Sequence, residues 1–412
     1  MKKAKFLLVA LLVVAMAVGA YGCPNRNSGS SNVITLKVWE DENNIDMLEP
    51  LADEFIADYA RKYPKAPTLK IIFEPQSERT AVENVNLHGQ SGNAADVFAF
   101  VHDNLGKAVT AGDIAEVLYP NELKAIHNDD SISAFTLDNK LYAYPITAES
   151  ITVMYDKTKV TEQELASFEN LKNSGKKLAW KTTSDAYYMF AFLTDVNLFG
   201  QNGKDKTQLK LDTSQAADNL YNLVSKYKNC LVDVEPEEAV SLLQSGEVVG
   251  IVSSPFLWAT VKKALGANAA VAVLPTIDGQ TLRPFSGYKG YGVSSYTKYP
   301  HLAHAFAAFL TNAENQYYRF VNNQLLPTVK DTTRFDQALQ NDTQNKYAAA
   351  LVMQESLENS LTMPNILAMG NYWAPMQDAL TEIWNLSSSE LTKEKISQIL
   401  NTATTTIKNQ IS

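Results

Sequence analysis

The 412-residue chain has little cysteine, little histidine and a shortage of cationic charge. Its only cysteines are Cys23 and Cys230. If Cys23 is consumed near the N-terminus, no internal disulfide can form, and the core itself must supply stability. The five histidines are His88, His102, His127, His301 and His304. Only the last two have helical spacing, and no Glu or Cys completes a ligand set with them, so no metal site is expected and the histidines are expected at the surface. No phosphate loop or dinucleotide fingerprint is present, and no cofactor is expected. Thirty-six Lys and Arg against 45 Asp and Glu give a net charge of -9, which argues against nucleic-acid binding. Internal repeats and long low-complexity tracts are absent as well.

The N-terminus is where apolar residues are concentrated. Lys2, Lys3 and Lys5 precede an uncharged stretch from Phe6 to Ala20, followed by Gly22 and Cys23. This is the pattern of an export signal, since the apolar core is shorter than the roughly 20 residues of a membrane span. Ala20-Tyr-Gly-Cys23 resembles the bacterial lipoprotein cleavage box, in which the cysteine is lipidated and becomes the new N-terminus; Ala20 and Tyr21 depart from its usual residues. Removing the leader takes three lysines and moves the formal charge from -9 to about -12. Pro24 to Asn32, "PNRNSGSSN", has nothing to anchor in a core and reads as a flexible tether.

After the tether the pattern alternates between strand and helix. Val33 to Trp39 alternates as a strand, and Ile45, Leu48, Leu51, Phe55, Ile56 and Tyr59 recur at helical spacing until Pro64. Leu69 to Phe73 reads as a strand again, which gives the unit of a parallel α/β sheet. Further strands are expected at Asp96 to Val101, Val248 to Val252 and Ala270 to Leu274, and helices at Thr213 to Tyr227 and after Pro300. A chain of this length exceeds what one hydrophobic core usually supports, so two lobes are expected. No single linker separates them.

Glu149 is the anomaly of the central region. It lies with Thr147, Ala148 and Ser150 between the strand-like runs Leu141–Ile146 and Ile151–Tyr155. A carboxylate there must be paired, hydrogen-bonded or facing a cleft. The stretch "KLYAYPITAESITVMYDKTKV" resembles the first lobe crossing of bacterial maltose- and maltodextrin-binding proteins of ABC importers. "ADVFAFVHDNLGKAVTAGDIAEV", "AVLPTIDGQTLRPFSG" and "MPNILAMGNYWAPMQDAL" resemble the same family, in its order.

The resemblance implies a two-lobe α/β fold of the periplasmic-binding-protein (Venus flytrap) type, with discontinuous lobes and a hinge. It implies a lipoprotein signal peptide over 1–22 and a tether over 23–32. The N-terminal lobe would take 33–147 and 290–340, and the C-terminal lobe 151–285 and 345–412, the last part helical. The crossings would then fall near Thr147 to Ser150, Phe285 to Gly290 and Leu339 to Asn345, with Gly287, Gly290 and Gly292 permitting hinge rotation.

A sugar presents hydroxyls at its edge and C–H patches on its faces, so its site needs aromatic platforms and fixed polar groups. By resemblance, Trp373 is the principal stacking tryptophan, and Phe100 and Phe256 stand where the family often has others. Tyr187 and Tyr188 match an aromatic pair from the other lobe. Glu149 and Asp103 match sugar-binding carboxylates, and Asp185 takes the place of a glutamate. A carboxylate accepts two hydroxyl hydrogens at fixed geometry. Glu42, Asn43 and Asn44, in the expected loop after the first strand, replace an aspartate-lysine pair, while Asn104 and Gln377 stand in positions of arginines. Cationic contacts are therefore missing at three places, and selectivity does not transfer position by position.

The function implied is capture of maltodextrin-type α-gluco-oligosaccharides for an ABC permease by a monomer held on the extracellular membrane face of a Gram-positive cell through Cys23. A glycoside hydrolase would need two carboxylates about 5 to 10 Å apart across the scissile bond. Asp103 with Glu149 or Asp185 could be nominated, but nothing singles out such a pair and no enzyme is expected. A different oligosaccharide, or a glycan-binding surface protein without lobe closure, is the alternative.

Overall fold

The computed structural model describes residues 33–342 and 346–411, so Cys23, the leader and the tether lie outside the described residues, as does part of the expected crossing at Leu339–Asn345. The first strand, Val33–Glu40, runs parallel to Thr68–Pro75 on one side and to Val97–Val101 on the other. Between the first two lies the helix Glu42–Lys62, capped by Asp41, whose side chain accepts from the Asn43 N–H. The long strand Phe285–Val293 adds antiparallel to Val97–Val101, pairs with Ala143–Glu149 as well, and meets the short strand Leu361–Thr362 at its start. These strands make a six-stranded sheet around Leu36, Val38, Phe98, Phe100, Tyr291 and Phe306.

A second sheet of five strands has the order Leu231–Val232, Leu178–Ala179, Gly250–Ser253, Thr152–Asp156 and Ala269–Ala272. Its core contains Trp180, Phe168, Phe190, Phe192 and the apolar faces of the terminal helices Trp373–Trp384 and Lys393–Ile411. The chain leaves the first sheet at Glu149 and enters the second at Thr152. Phe285 packs in the second core, while Tyr288 and Tyr291 of the same strand pack in the first. The two passages are tied together: the Ser150 hydroxyl donates to the Phe285 carbonyl at 2.7 Å, and the Ser356 hydroxyl, on the helix Ala348–Glu358, donates to the Ile151 carbonyl at 3.0 Å. No helix among the described residues is long and apolar enough to cross a membrane.

Gly287, Gly290 and Gly292 have no positive φ in this conformation. A Cβ on Gly290 would stand 2.6 Å from the Phe135 ring, and one on Gly292 would stand 2.8 Å from Phe98 and Ile114. Close packing of the strand on these side chains requires glycine at 290 and 292. Contrary to expectation, the histidines are not all at the surface, for His102, His127 and His304 are buried. His102 accepts from the Tyr288 N–H at 3.0 Å and donates to the Met363 carbonyl at 2.8 Å, joining segments far apart in sequence. Burial pushes its pKa down to about 4, so the neutral ring serves as an internal cross-link.

Candidate functional site

Glu149 is the last residue of the strand Ala143–Glu149, not a loop residue between two strands. Its side chain is only 12 % exposed, and the Lys289 ammonium lies 3.3 Å from Oε2. That ion pair is the one polar contact of Oε2 among the described residues. Lys289 also pairs with Glu78 at 3.1 Å, in the turn before the helix Ala81–His88. Burial raises the Glu149 pKa, Lys289 lowers it and Glu78 raises it. Burial would depress Lys289, but Glu149 and Glu78 outweigh it and hold the ammonium well above its usual range. The result is one cation between two carboxylates.

Arg79 follows Glu78 and joins the two lobes electrostatically. Desolvation opposes its charge, and Tyr188, Asp185, Tyr187 and Glu149 favour it more strongly. Asp103 on the first lobe is also within its field. Burial pushes the Asp103 carboxyl up to about 7, against the opposing pull of its own N–H, Asn104 and Arg79. The Asn104 side-chain amide donates to Asp103 Oδ1 at 3.2 Å.

On the second lobe, Asp185 caps the short helix Ala186–Met189, its Oδ1 accepting from the Tyr187 and Tyr188 N–H groups at 2.8 and 3.1 Å. One of its oxygens is therefore committed to the backbone. Burial raises the Asp185 pKa, opposed by those N–H groups and Arg79. Gln377 fixes the turn before it, donating to the carbonyl of Ser184, which has φ 56°. Tyr187 stacks on Phe285 at 6.2 Å, and Trp373 meets the same ring edge-on at 6.0 Å. Both are half-buried, so each keeps accessible ring surface.

The structure thus gathers Glu149, Asp103, Asp185, Tyr187 and the Tyr188 hydroxyl around Arg79, and sets Trp373 beside Tyr187 through Phe285. Phe100 is not a platform: its side chain is fully buried against Phe98 and Phe135, with ring centroids 5.5 Å away in each case. The Tyr188 ring is likewise in the second core and is not a platform. Phe256 is half-buried beside the small core of Leu257 and Val261. Glu42, Asn43 and Asn44 form the first turn of a helix and not a loop. Glu42 and Asn43 are exposed, whereas Asn44 is tied inward, donating to Glu40 at 3.1 Å and accepting from Asn323 at 3.2 Å.

Sequence reasoning missed Glu78, Arg79 and Lys289. Lys289 carried a signal, as the one charge within the Gly- and aromatic-rich strand Phe285–Val293. Glu78 and Arg79 carried none, because their role depends on which strands the fold brings opposite them.

The family model for bacterial extracellular solute-binding proteins matches residues 54–391. Among curated relatives, the galactooligosaccharide-binding protein of Bacillus subtilis (strain 168) is 26 % identical, the alignment covering 100 % of this chain and 98 % of that one. The maltooligosaccharide ABC transporter solute-binding lipoprotein of Streptococcus pneumoniae (strain ATCC BAA-255 / R6) is also 26 % identical, over 90 % of this chain and 89 % of its own. Among solved structures, the maltodextrin binding protein MalE1 from L. casei BL23 without ligand superposes with a TM-score of 0.76 at 23 % identity, covering 91 % of this chain and 99 % of that one. That likeness shows the fold to be the two-lobe fold of these proteins. With a family model spanning most of its length and a polar, aromatic cleft set between its sheets, the chain belongs to the bacterial extracellular solute-binding proteins.

Proposed function

We propose that the protein is the substrate-capturing component of an ABC importer. It binds a maltodextrin-type α-gluco-oligosaccharide between its lobes and delivers it to the membrane permease. Glu149 carries this reading. It is a buried carboxylate at the crossing between the lobes, its Oε2 paired with the Lys289 ammonium at 3.3 Å. A sugar hydroxyl donates well to such a carboxylate, because charged acceptors make the stronger hydrogen bonds. Glu149, Asp103 and Asp185 fix the sugar edge, and Trp373 and Tyr187 cover its faces. Phe256, Asn44, Asn104 and Gln377 line or brace the same cleft. The protein acts as a monomer, anchored to the extracellular face of a Gram-positive membrane through Cys23; the lipoprotein relative from Streptococcus supports the anchor.

A second reading, capture of galacto-oligosaccharides, is favoured by the full-length match to a protein named for that ligand. The loss of Phe100 as a platform also leaves this cleft less aromatic than the resemblance implied. Calorimetry with glucose, maltose, maltotriose, longer maltodextrins, isomaltose and galacto-oligosaccharides separates the two. Binding of maltotriose or longer maltodextrins above the galactosides is expected. Preference for galactosides moves the protein to the second reading, and binding of neither overturns both. Chromatography of maltodextrin after prolonged incubation with the protein is expected to recover it uncleaved.

A further inference from the structure

A crevice of about 20 Å³ opens between the lobes, lined by Thr152, Trp258, Asn323, Gln324, Pro255 and Met353 among others. It is large enough for one water-sized group and no larger. Three polar atoms on its lining residues are buried without a hydrogen-bond partner: Trp258 Nε1, Gln324 Oε1 and Thr152 Oγ1. They come from three different places. Trp258 begins the helix Trp258–Leu265 of the second lobe. Gln324 ends the helix Ala313–Asn323 of the first lobe in the left-handed region, at φ 57°. Thr152 is the first strand residue after the crossing and only 1 % exposed.

An indole N–H can only donate, an amide oxygen can only accept, and a hydroxyl can do either. One hydroxyl group can accept from an indole N–H and donate to an amide oxygen at the same time. A left-handed backbone at a residue with a side chain is uncommon and persists only where its surroundings hold it. The crevice also adjoins residues already assigned to the cleft. Asn323 on its wall donates to Asn44, and Pro255 on its opposite wall precedes Phe256.

We infer that Trp258, Gln324 and Thr152 form a hydroxyl-binding subsite, joining the two lobes, that takes one hydroxyl of the sugar unit held between Asn44 and Phe256. The inference rests on the oligosaccharide reading and deepens it. The subsite gives that sugar unit a polar contact to both lobes at once, so it rewards closure around a ligand with a hydroxyl at that point. Sugars lacking it forfeit the contact, because a buried donor and acceptor then go unpaired.

The test uses Trp258→Phe, Gln324→Met and Thr152→Val, with calorimetry on maltotriose and its monodeoxy analogues, or on whichever oligosaccharide the parent binds. Trp258→Phe and Gln324→Met are each expected to lower affinity about five- to tenfold, the double variant little more than either single one. The parent is expected to discriminate against one monodeoxy analogue in particular, and the variants to lose that discrimination. Thr152→Val removes an unpartnered hydroxyl, so it is expected to keep or raise the ligand-free melting temperature while weakening binding; a merely structural role would lower both. Affinities within twofold of the parent, or equal losses across all analogues, overturn the subsite and leave the oligosaccharide reading standing. A parent that binds no oligosaccharide overturns both.

Discussion

Replacing Lys289 by methionine removes the cation paired with both Glu78 and Glu149. The ammonium lies 3.1 Å from Glu78 and 3.3 Å from Glu149, and all three side chains are no more than 15 % exposed. At these separations each attraction amounts to about 5 kcal/mol with an effective dielectric of about 20. Desolvation of three charges offsets most of that, so the triad as a whole adds little to stability. Removing one member is different, because two buried carboxylates then remain without the charge that balanced them. Breaking a buried pair in this way costs about 3 kcal/mol or more.

The pH dependence gives the prediction its sign. The Glu149 pKa is already raised by burial despite Lys289. Without the ammonium it rises further, and a carboxyl whose folded pKa exceeds its unfolded value stabilises the fold as pH drops through the folded value. Lys289→Met is therefore expected to cost about 3 kcal/mol near pH 8 and progressively less toward pH 5, read from urea unfolding at several pH values. Sugar affinity of the variant should fall about tenfold near neutral pH and recover as pH rises and Glu149 ionises. Glu78→Gln on the Lys289→Met background should restore part of the lost stability. A loss below about 1 kcal/mol, or one equal at pH 5 and pH 8, would refute the triad as the device that keeps Glu149 ionised.

Trp373→Ala is expected to weaken maltodextrin binding at least about thirtyfold, with little change in ligand-free melting temperature, because the ring is half-buried and meets Phe285 and Tyr372 edge-on. Unfolding of the variant with binding intact in the folded remainder would make it a core residue. The Asp103 carboxyl titrates at about 7, and ligand hydroxyls favour its ionised form, so affinity should climb with pH up to about 7 and then level. Calorimetry from pH 5.5 to 8.5 checks this, and the same slope in Asp103→Asn would assign the titration elsewhere. Cys23→Ser should release the protein from the membrane with sugar binding intact; palmitate labelling and membrane retention equal to the parent's would refute lipidation at that thiol. A single acyl chain holds only reversibly, so more than one is expected on Cys23.

The sheets were legible wherever alternation or a short apolar run was bounded by breakers, as at Val33–Glu40 and Gly250–Ser253. The helix after the first strand was read from its apolar residues, beginning at Ile45, but it starts at Glu42 because Asp41 caps it. A capped first turn is polar on every side, so apolar periodicity does not see it, and Asn43 and Asn44 were assigned to a loop. Glu149 was set outside a strand for a related reason. Thr147 and Glu149 break the apolar run because they meet polar partners from other segments of the first lobe, Thr147 donating to the Leu326 carbonyl and Glu149 pairing with Lys289. Phe100 shows what position matching cannot supply. Its strand Val97–Val101 is buried along nearly its whole length, so alternation does not say which face meets the cleft.

The cations explain the rest. Where the family resemblance would set basic residues, this chain has Asn43 with Asn44, Asn104 and Gln377, and three of these act as neutral connectors: Asn44 to Glu40, Asn104 to Asp103, Gln377 to the Ser184 carbonyl. Positive charge reaches the cleft from Arg79 and Lys289 instead. Two cations stand among four carboxylates, Glu78, Asp103, Glu149 and Asp185, which leaves an excess of two negative charges when all are ionised. That balance repels a uronate or a sugar phosphate and suits a ligand that brings only hydroxyl hydrogens. A neutral oligosaccharide is such a ligand. Each cation is shared by carboxylates that the fold brings together from distant segments, so no local motif announces it.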